Sequence, residues 1–204
     1  MFIRRESFQQ YIRLYPVVST IIALNIIVFL LTRVPGFGDE IIYAGLSVNG
    51  LIAQGEWWRI ITSMFLHGGF IHVLFNMFSL FLFGPELEKI AGKMRFLTIY
   101  FLAGIFGGIA TFATQDATYA SLGASGAIYG IIGAFGALVY YTRKTFPQLR
   151  QIILPIIVIS VIMTFLQPNI NIAAHLGGLL TGFVLGIFYF NPKNILRWRM
   201  KNQK

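Results

Sequence analysis

The chain has 204 residues, of which 56% are hydrophobic and only 11% are charged. Soluble domains carry about 25% charged residues, so this chain cannot hide its apolar surface in a water-soluble core. The absence of cysteine excludes a disulfide framework and a thiolate metal site. The net charge of +9 would suit a nucleic-acid partner, but the placement of the basic residues along the chain argues against one.

Six apolar stretches succeed one another along the chain, and most approach the ~20 residues needed to cross the hydrocarbon core. They cover residues 17–32, 70–84, 96–113, 124–142, 151–166 and 172–190. This pattern predicts an all-α membrane protein with six transmembrane helices. The predicted organisation is a cytoplasmic N-terminal segment at 1–15, one membrane domain at 16–190 and a basic cytoplasmic tail at 191–204.

The linker between the first two stretches, residues 33–69, is much longer than the others. It mixes glycines and acidic residues with apolar pieces too short to span a membrane. We expect it to form an amphipathic structure at the membrane interface, with Trp57 and Trp58 near the lipid headgroups.

The basic residues alternate between linkers. Fourteen of the 16 Lys and Arg fall in the N-terminal segment, the second and fourth linkers and the C-terminal tail, and only Arg33 and Arg59 fall in the other linkers. The positive-inside rule then places both termini in the cytoplasm. The basic excess is therefore a topology signal, with attraction to anionic lipids as a secondary effect, and it does not indicate nucleic-acid binding.

With the N-terminus inside, the second, fourth and sixth helices all begin at the outer face. His72 and Asn76 lie in the first turns of the second helix, Ser125 opens the fourth, and His175 lies near the start of the sixth. At ~1.5 Å per residue, all four are within about 10 Å of the outer helix ends. Ionisable residues at such depth are functional candidates, because they are costly to keep in lipid.

Small residues predict that the fourth and sixth helices pack closely. The fourth carries a run of glycines from Gly123 to Gly136, and the sixth repeats a small residue every four positions from Ala174. Such spacing lets two membrane helices approach each other. Close contact would bring Ser125 and His175 within reach, and Tyr129, one turn after Ser125, could pack on the His175 imidazole.

A serine and a histidine placed this way suit nucleophilic catalysis. A hydroxyl is a poor nucleophile until a neighbouring base takes its proton, and histidine is the side chain best matched to that role near neutral pH. No carboxylate lies near them in sequence except Asp116 in a loop. We therefore expect a Ser–His dyad, in which Tyr129 and packing orient the base. Asn76 and the backbone N–H of Ser125 could bind a developing oxyanion.

Several motifs, in this order and on these helices, resemble the rhomboid family of intramembrane serine proteases, in its bacterial six-helix form. They are Trp58-Arg59, His67, His72-Val73-Leu74-Phe75-Asn76, Glu88-Lys89, Gly123-Ala124-Ser125-Gly126, Tyr129 and Ala174-His175-Leu176-Gly177-Gly178. The resemblance runs from about residue 16 to 190. It implies a six-helix bundle with an interfacial first loop, no metal and no cofactor.

The resemblance also implies an activity, the cleavage of single-pass membrane proteins in or near their transmembrane segments. In the leading hypothesis Ser125 attacks the scissile carbonyl and His175 transfers the proton, while Asn76, His72 and backbone N–H groups near Gly123 hold the oxyanion. The protein would sit in the plasma membrane among lipids, its site opening to the extracytoplasmic side. The loop at 167–171 would move to admit substrate. The oligomeric state stays open.

Three alternatives compete with this hypothesis. A non-catalytic relative that binds membrane-protein clients would be favoured by loss of the serine or histidine, and both are present. A transporter predicts charged residues within the helices and an internal repeat. A zinc protease predicts a His-Glu-x-x-His motif, which the sequence lacks.

Two further expectations concern residues outside the dyad. His67 is expected to hydrogen-bond within the first loop and hold it in place. Glu86 and Glu88 are expected to pair with Lys89, Lys93 or Arg95 at the cytoplasmic surface.

Overall fold

A computed structural model describes residues 4–194, so most of the tail predicted at 191–204 lies outside the described residues. The described helices are α1 (Phe8–Leu14), α2 (Pro16–Leu31), α3 (Gly38–Gly45), α4 (Asn49–Ala53), α5 (Arg59–Thr62), α6 (Phe70–Ala91), α7 (Lys93–Thr114), α8 (Ser125–Thr142), α9 (Pro147–Leu166) and α10 (Ile172–Phe190). Two short strands, β1 (Ser47–Val48) and β2 (Ala120–Ser121), pair antiparallel.

Each of the six apolar stretches forms a helix, which confirms the all-α membrane fold. The five helices α6 to α10 are long and apolar enough to span a membrane. The 16-residue helix α2 completes six spans if it is counted together with α1, from which it is bent by 112°. Helix α6 runs to Ala91, beyond the predicted end at 84, because charged residues at a helix end lower hydropathy without breaking the helix.

The N-terminus of α2 is capped by a residue from α6. Tyr15, the N-cap residue of α2, makes no side-chain capping bond. The Glu88 carboxylate instead accepts the backbone N–H groups of Val17 and Val18 at 3.2 and 2.9 Å. An anion at this position satisfies free donors and complements the helix dipole. The expected pairing of Glu88 with nearby lysines or Arg95 was wrong, because its side chain points inward and is only 3% exposed.

The helices α8 and α10 touch through their backbones. A Cβ atom added at Gly178 would overlap the carbonyl of Gly126, and one added at Gly182 would overlap the carbonyl of Gly130. On the other side of α10, a Cβ atom at Gly107 of α7 would lie 2.6 Å from the Ala174 carbonyl. Helix α10 is therefore held between α7 and α8, and the predicted close contact is present.

The first loop is tied together by Arg59, which is 3% exposed. Its guanidinium pairs with Glu56 at 2.6 Å and donates to the carbonyls of Tyr43 and Leu46 at 2.7 and 2.8 Å. Trp57 and Trp58 are about half exposed, and their place near lipid headgroups stays a prediction. The sequence did not predict the β1–β2 pairing, because two-residue strands leave no periodic pattern.

His67, between the 3₁₀ turn Ser63–Phe65 and α6, is 3% exposed. Neither ring nitrogen has a hydrogen-bond partner of standard geometry among the described residues. The expected hydrogen bond within the loop is therefore not well formed, although the Phe65 backbone is close enough to act on the ring and to raise its pKa slightly. The ring packs edge-on against His72, with centroids 5.0 Å apart. Burial, with a smaller contribution from His72, lowers the pKa of His67 from 6.5 to about 4.

The α8–α10 contact predicts a large response to one methyl group. We expect Gly182→Ala to lower the free energy of unfolding by about 1–3 kcal/mol, the usual cost of overpacking, because the methyl meets a backbone carbonyl that cannot turn aside. The measurement is a denaturation curve in detergent. Gly68→Ala is the matched control, because the nearest atom to its added Cβ is a leucine methyl at 3.7 Å. Equal stability of the two variants would contradict the inferred contact.

The buried His67 predicts a pH-dependent stability. An unfolded chain binds a proton at His67 below about pH 6.5, whereas the folded chain does so only near pH 4. Stability from this residue is therefore complete above pH 6.5 and is lost as the pH falls towards 4, by at most about 1.4 kcal/mol per pH unit. We expect His67→Phe, which keeps a ring against His72, to show a shallower fall of thermal midpoint over this range. Identical pH slopes would remove His67 as a cause.

Candidate active site

The structure brings together the five side chains that the sequence singled out. The N-terminal ends of α6, α8 and α10 meet around a cavity of about 1130 Å³. Its lining includes His72, Asn76, Ser125, Tyr129 and His175. Since the three helices all begin at this cavity, the common depth inferred from sequence corresponds to one shared site. No Asp, Glu, Lys or Arg is among the described residues that line it.

Ser125 is the first residue of α8 and is half-buried. The chain reaches it through a turn in which Gly123 adopts φ +120°, a conformation that disfavours any side chain. A Cβ atom at Gly123 would also lie only 2.7 Å from Nε2 of His72. Glycine is therefore needed here both for the backbone angle and for the close approach of the imidazole.

The backbone N–H of Gly123 has a partner already. It donates to the carbonyl of Ser63 at 2.9 Å, which ties the turn before α8 to the 3₁₀ turn. The expectation that this amide takes part in an oxyanion site therefore needs correction, because the group is engaged elsewhere. The role left to Gly123 is to shape the turn and to make room for His72.

His175 and Tyr129 form a stacked pair. Their ring centroids are 4.0 Å apart and the ring planes differ by 20°. The two residues are only 5% and 9% exposed, so the imidazole is buried against the Tyr129 ring and little of it faces the cavity. Support of a base by Tyr129 stays a prediction, but the contact on which it depends is present.

A residue that the sequence reasoning missed completes this cluster. Thr164 of α9 is 2% exposed. Its Oγ1 lies 3.0 Å from Nδ1 of His175 and 2.6 Å from the Tyr129 hydroxyl. The Tyr129 hydroxyl also donates to the carbonyl of Ser160 at 2.6 Å. A threonine in an apolar span gives little sequence signal, because its hydroxyl commonly bonds its own helix.

Nδ1 of His175 contacts Thr164, so Nε2 is the ring nitrogen that remains available to exchange a proton with another group. No hydrogen bond joins Ser125 to His175 within the part of the chain that the structure describes. Nucleophile–base hydrogen bonds are often long in the absence of substrate and tighten when it binds. The arrangement therefore places a hydroxyl and an imidazole in one cavity without yet coupling them.

Asn76 and His72 of α6 line the cavity beside the turn at Gly123. The Asn76 amide donates one N–H to the His72 carbonyl, one turn earlier, at 3.1 Å. An amide carries two such donors, so the second is left to face a group in the cavity. Asn76 is 6% exposed and His72 is half-buried. The Asn76 amide can donate to an anion in the cavity, and the His72 imidazole can do so through whichever ring nitrogen carries the proton.

The loop before α10 is anchored at its end. Asn171 caps α10, since its side chain accepts the N–H of Ala174 at 3.0 Å. The same side chain contacts Thr111 of α7 at 2.9 Å. Asn169 has φ +60°, the one positive value outside glycine among the described residues. The sequence did not identify Asn171 as an anchor, and movement of the loop at 167–171 stays a prediction.

Comparison with known proteins gives consistent matches. A profile of the Rhomboid domain matches residues 54–192. YdcA of Bacillus subtilis, whose name marks it as a candidate rhomboid protease, is 42% identical over 197 residues, which are 95% of this chain and 98% of YdcA. Rhomboid protease GluP of the same organism is 42% identical over 84% of this chain and 34% of its own length.

A plant relative extends the comparison. RHOMBOID-like protein 5 of Arabidopsis thaliana is 38% identical over 74% of this chain and 52% of its own length. The chain thus spans about a third of GluP and about half of the plant protein, whereas it matches YdcA nearly end to end. The profile covers well over half of the chain, and together with these identities it shows that this membrane protein belongs to the rhomboid family.

Proposed function

We propose that this chain is an intramembrane serine endopeptidase that cleaves single-pass membrane proteins in or near their transmembrane segments. The observation that carries the proposal is the convergence of Ser125 and His175, from two different helices, on one cavity at the helix ends. The names of the relatives support a protease. A fixed imidazole and an accessible hydroxyl in one cavity are the minimum that acyl transfer requires.

The proposed reaction uses the Ser125 hydroxyl and Nε2 of His175. Ser125 Oγ attacks the scissile carbonyl while Nε2 of His175 takes its proton. The proton then passes to the leaving amine, and an acyl-enzyme remains on Ser125. Water, activated by the same nitrogen, hydrolyses this ester and restores the serine.

The negative charge on the carbonyl oxygen needs donors that are already in place. The free N–H of Asn76, the imidazole of His72 and the backbone N–H of Ser125 at the start of α8 are the groups available. The helix dipole of α8 favours an anion at the same point. The Gly123 amide is left out of this set because Ser63 already binds it.

The substrate must present an extended peptide to Ser125, since helical peptide bonds are shielded by their own hydrogen bonds. Segments with glycine, proline or other weak helix formers should therefore be preferred. We place the protein in the plasma membrane with both termini in the cytoplasm, because fourteen of its 16 basic residues then lie inside. The cavity would open to the extracytoplasmic side.

The first test concerns the nucleophile. We expect wild type in detergent to cleave a model transmembrane substrate and to react with a labelled fluorophosphonate, and Ser125→Ala to do neither. Ser19→Ala is the matched control, because that hydroxyl on α2 bonds its own helix at Tyr15. Cleavage by Ser125→Ala at the wild-type rate would refute the serine protease, and cleavage by neither protein would favour a non-catalytic client binder.

A second test concerns the oxyanion. We expect Asn76→Ala to lower kcat by about 10²–10³, the usual effect of removing one such donor, and to leave KM nearly unchanged, because the donor acts in the transition state. An unchanged thermal midpoint would show that the fold is intact. A rise in KM with kcat preserved would instead assign Asn76 to substrate binding.

A further inference from the structure

Helix α9 contributes one polar contact to the base, and it comes from a residue without a role in the proposed chemistry. We infer that Thr164 is a positioning residue that accepts the Nδ1–H of His175, so that Nε2 is the nitrogen left unprotonated for Ser125. The inference rests on the proposed function, because it assigns the protonation of the base in that reaction.

The hydroxyl protons around Thr164 can be counted. Four polar contacts join these groups: Thr164 to the Ser160 carbonyl at 3.0 Å, Thr164 to Tyr129 at 2.6 Å, Tyr129 to the Ser160 carbonyl at 2.6 Å, and Thr164 to Nδ1 of His175 at 3.0 Å. Each hydroxyl supplies one proton and a carbonyl supplies none. The two hydroxyls can therefore fill two of the four contacts.

If Nδ1 carries its own proton, a third contact is filled. Tyr129 then donates to the Ser160 carbonyl, Thr164 donates to Tyr129, and His175 donates to Thr164. The contact left without a proton is the one from Thr164 to Ser160, at 3.0 Å. Both contacts of 2.6 Å hold a proton in this arrangement.

The other tautomer, in which Nδ1 carries no proton, leaves more of these four contacts without a proton. If Thr164 donates to a bare Nδ1, only the Tyr129 proton remains for the two contacts of 2.6 Å. Two oxygens would then face each other at that distance with no proton between them, which is repulsive in a buried site. The network therefore favours the tautomer with Nδ1 protonated, and Nε2 is free to act as the base.

Thr164 is buried although it lies near the exposed end of α9. Its neighbours Phe165 and Leu166 are 59% and 70% exposed, whereas Thr164 is 2% exposed. The α9 helix therefore presents a mostly apolar outer surface, with this hydroxyl turned towards the stacked pair of Tyr129 and His175. One residue thus connects α9 to the base on α10 and to its support on α8.

Kinetics test the role with isosteric variants. We expect Thr164→Val, which keeps the shape and removes the hydroxyl, to lower kcat by about 10- to 100-fold with little change in KM, the range for a buried donor left without its partner. Thr164→Ser should recover most of the rate. Thr98→Val on α7 is the matched control, because that hydroxyl bonds only its own helix at Met94. A Thr164→Val enzyme at the wild-type rate would overturn the inference.

The tautomer itself can be measured, even in a variant that is inactive. The chain has three histidines, so ¹⁵N-histidine spectra of wild type and His175→Ala assign the His175 signals by difference. At neutral pH we expect a protonated Nδ1 and an unprotonated Nε2 in wild type, and a shift towards the other tautomer in Thr164→Val. A wild-type Nε2–H, or a tautomer that Thr164→Val leaves unchanged, would overturn the assignment.

The two proposals fail in different ways. If Ser125→Ala still cleaves, the proposed function fails whatever Thr164 does. If Ser125→Ala is inactive while Thr164→Val is as fast as wild type, the protease stands and the role of Thr164 is refuted.

Discussion

The site depends on the contact between the glycine faces of α8 and α10. In lipid there is little hydrophobic drive between helices, so their association relies on van der Waals packing at short range. Gly178 and Gly182 remove the side chains that would otherwise separate the two backbones. Because Ser125 and His175 lie in the first turns of these same helices, the closeness of the backbones limits the distance between the proposed nucleophile and the proposed base.

Within that frame the proposed base is oriented by neutral groups. Tyr129 stacks on one face of His175, and Thr164 meets its Nδ1. A carboxylate in this position would have to be kept charged in a poorly hydrated bundle, which is costly without a partner. Two hydroxyls and a backbone carbonyl can orient the imidazole at a lower desolvation cost. Two of these three groups belong to α9, a helix that supplies neither Ser125 nor His175.

Features that depend on helix direction and residue spacing could be predicted from the sequence. Ser125 and His175 could be placed at one depth because each lies near the start of an apolar stretch and the basic residues predict which helix ends face the cytoplasm. Thr164 was missed because its contacts come from residues on two other helices, which no local pattern encodes. Glu88 was assigned the nearest cations in sequence, whereas the structure pairs it with backbone amides 70 residues away. The engaged amide of Gly123 likewise depends on a tertiary contact.

The cap that Glu88 places on α2 has a consequence for the order of assembly. The amides of Val17 and Val18 leave the ribosome long before Glu88 does, since the partners are 71 and 70 residues apart. Until α6 has been made, water at the membrane surface must satisfy these donors. The newly inserted α2 therefore keeps an exposed polar end, and the arrival of one carboxylate from α6 replaces that water. The cap on α2 is therefore complete only after α6 has been synthesised.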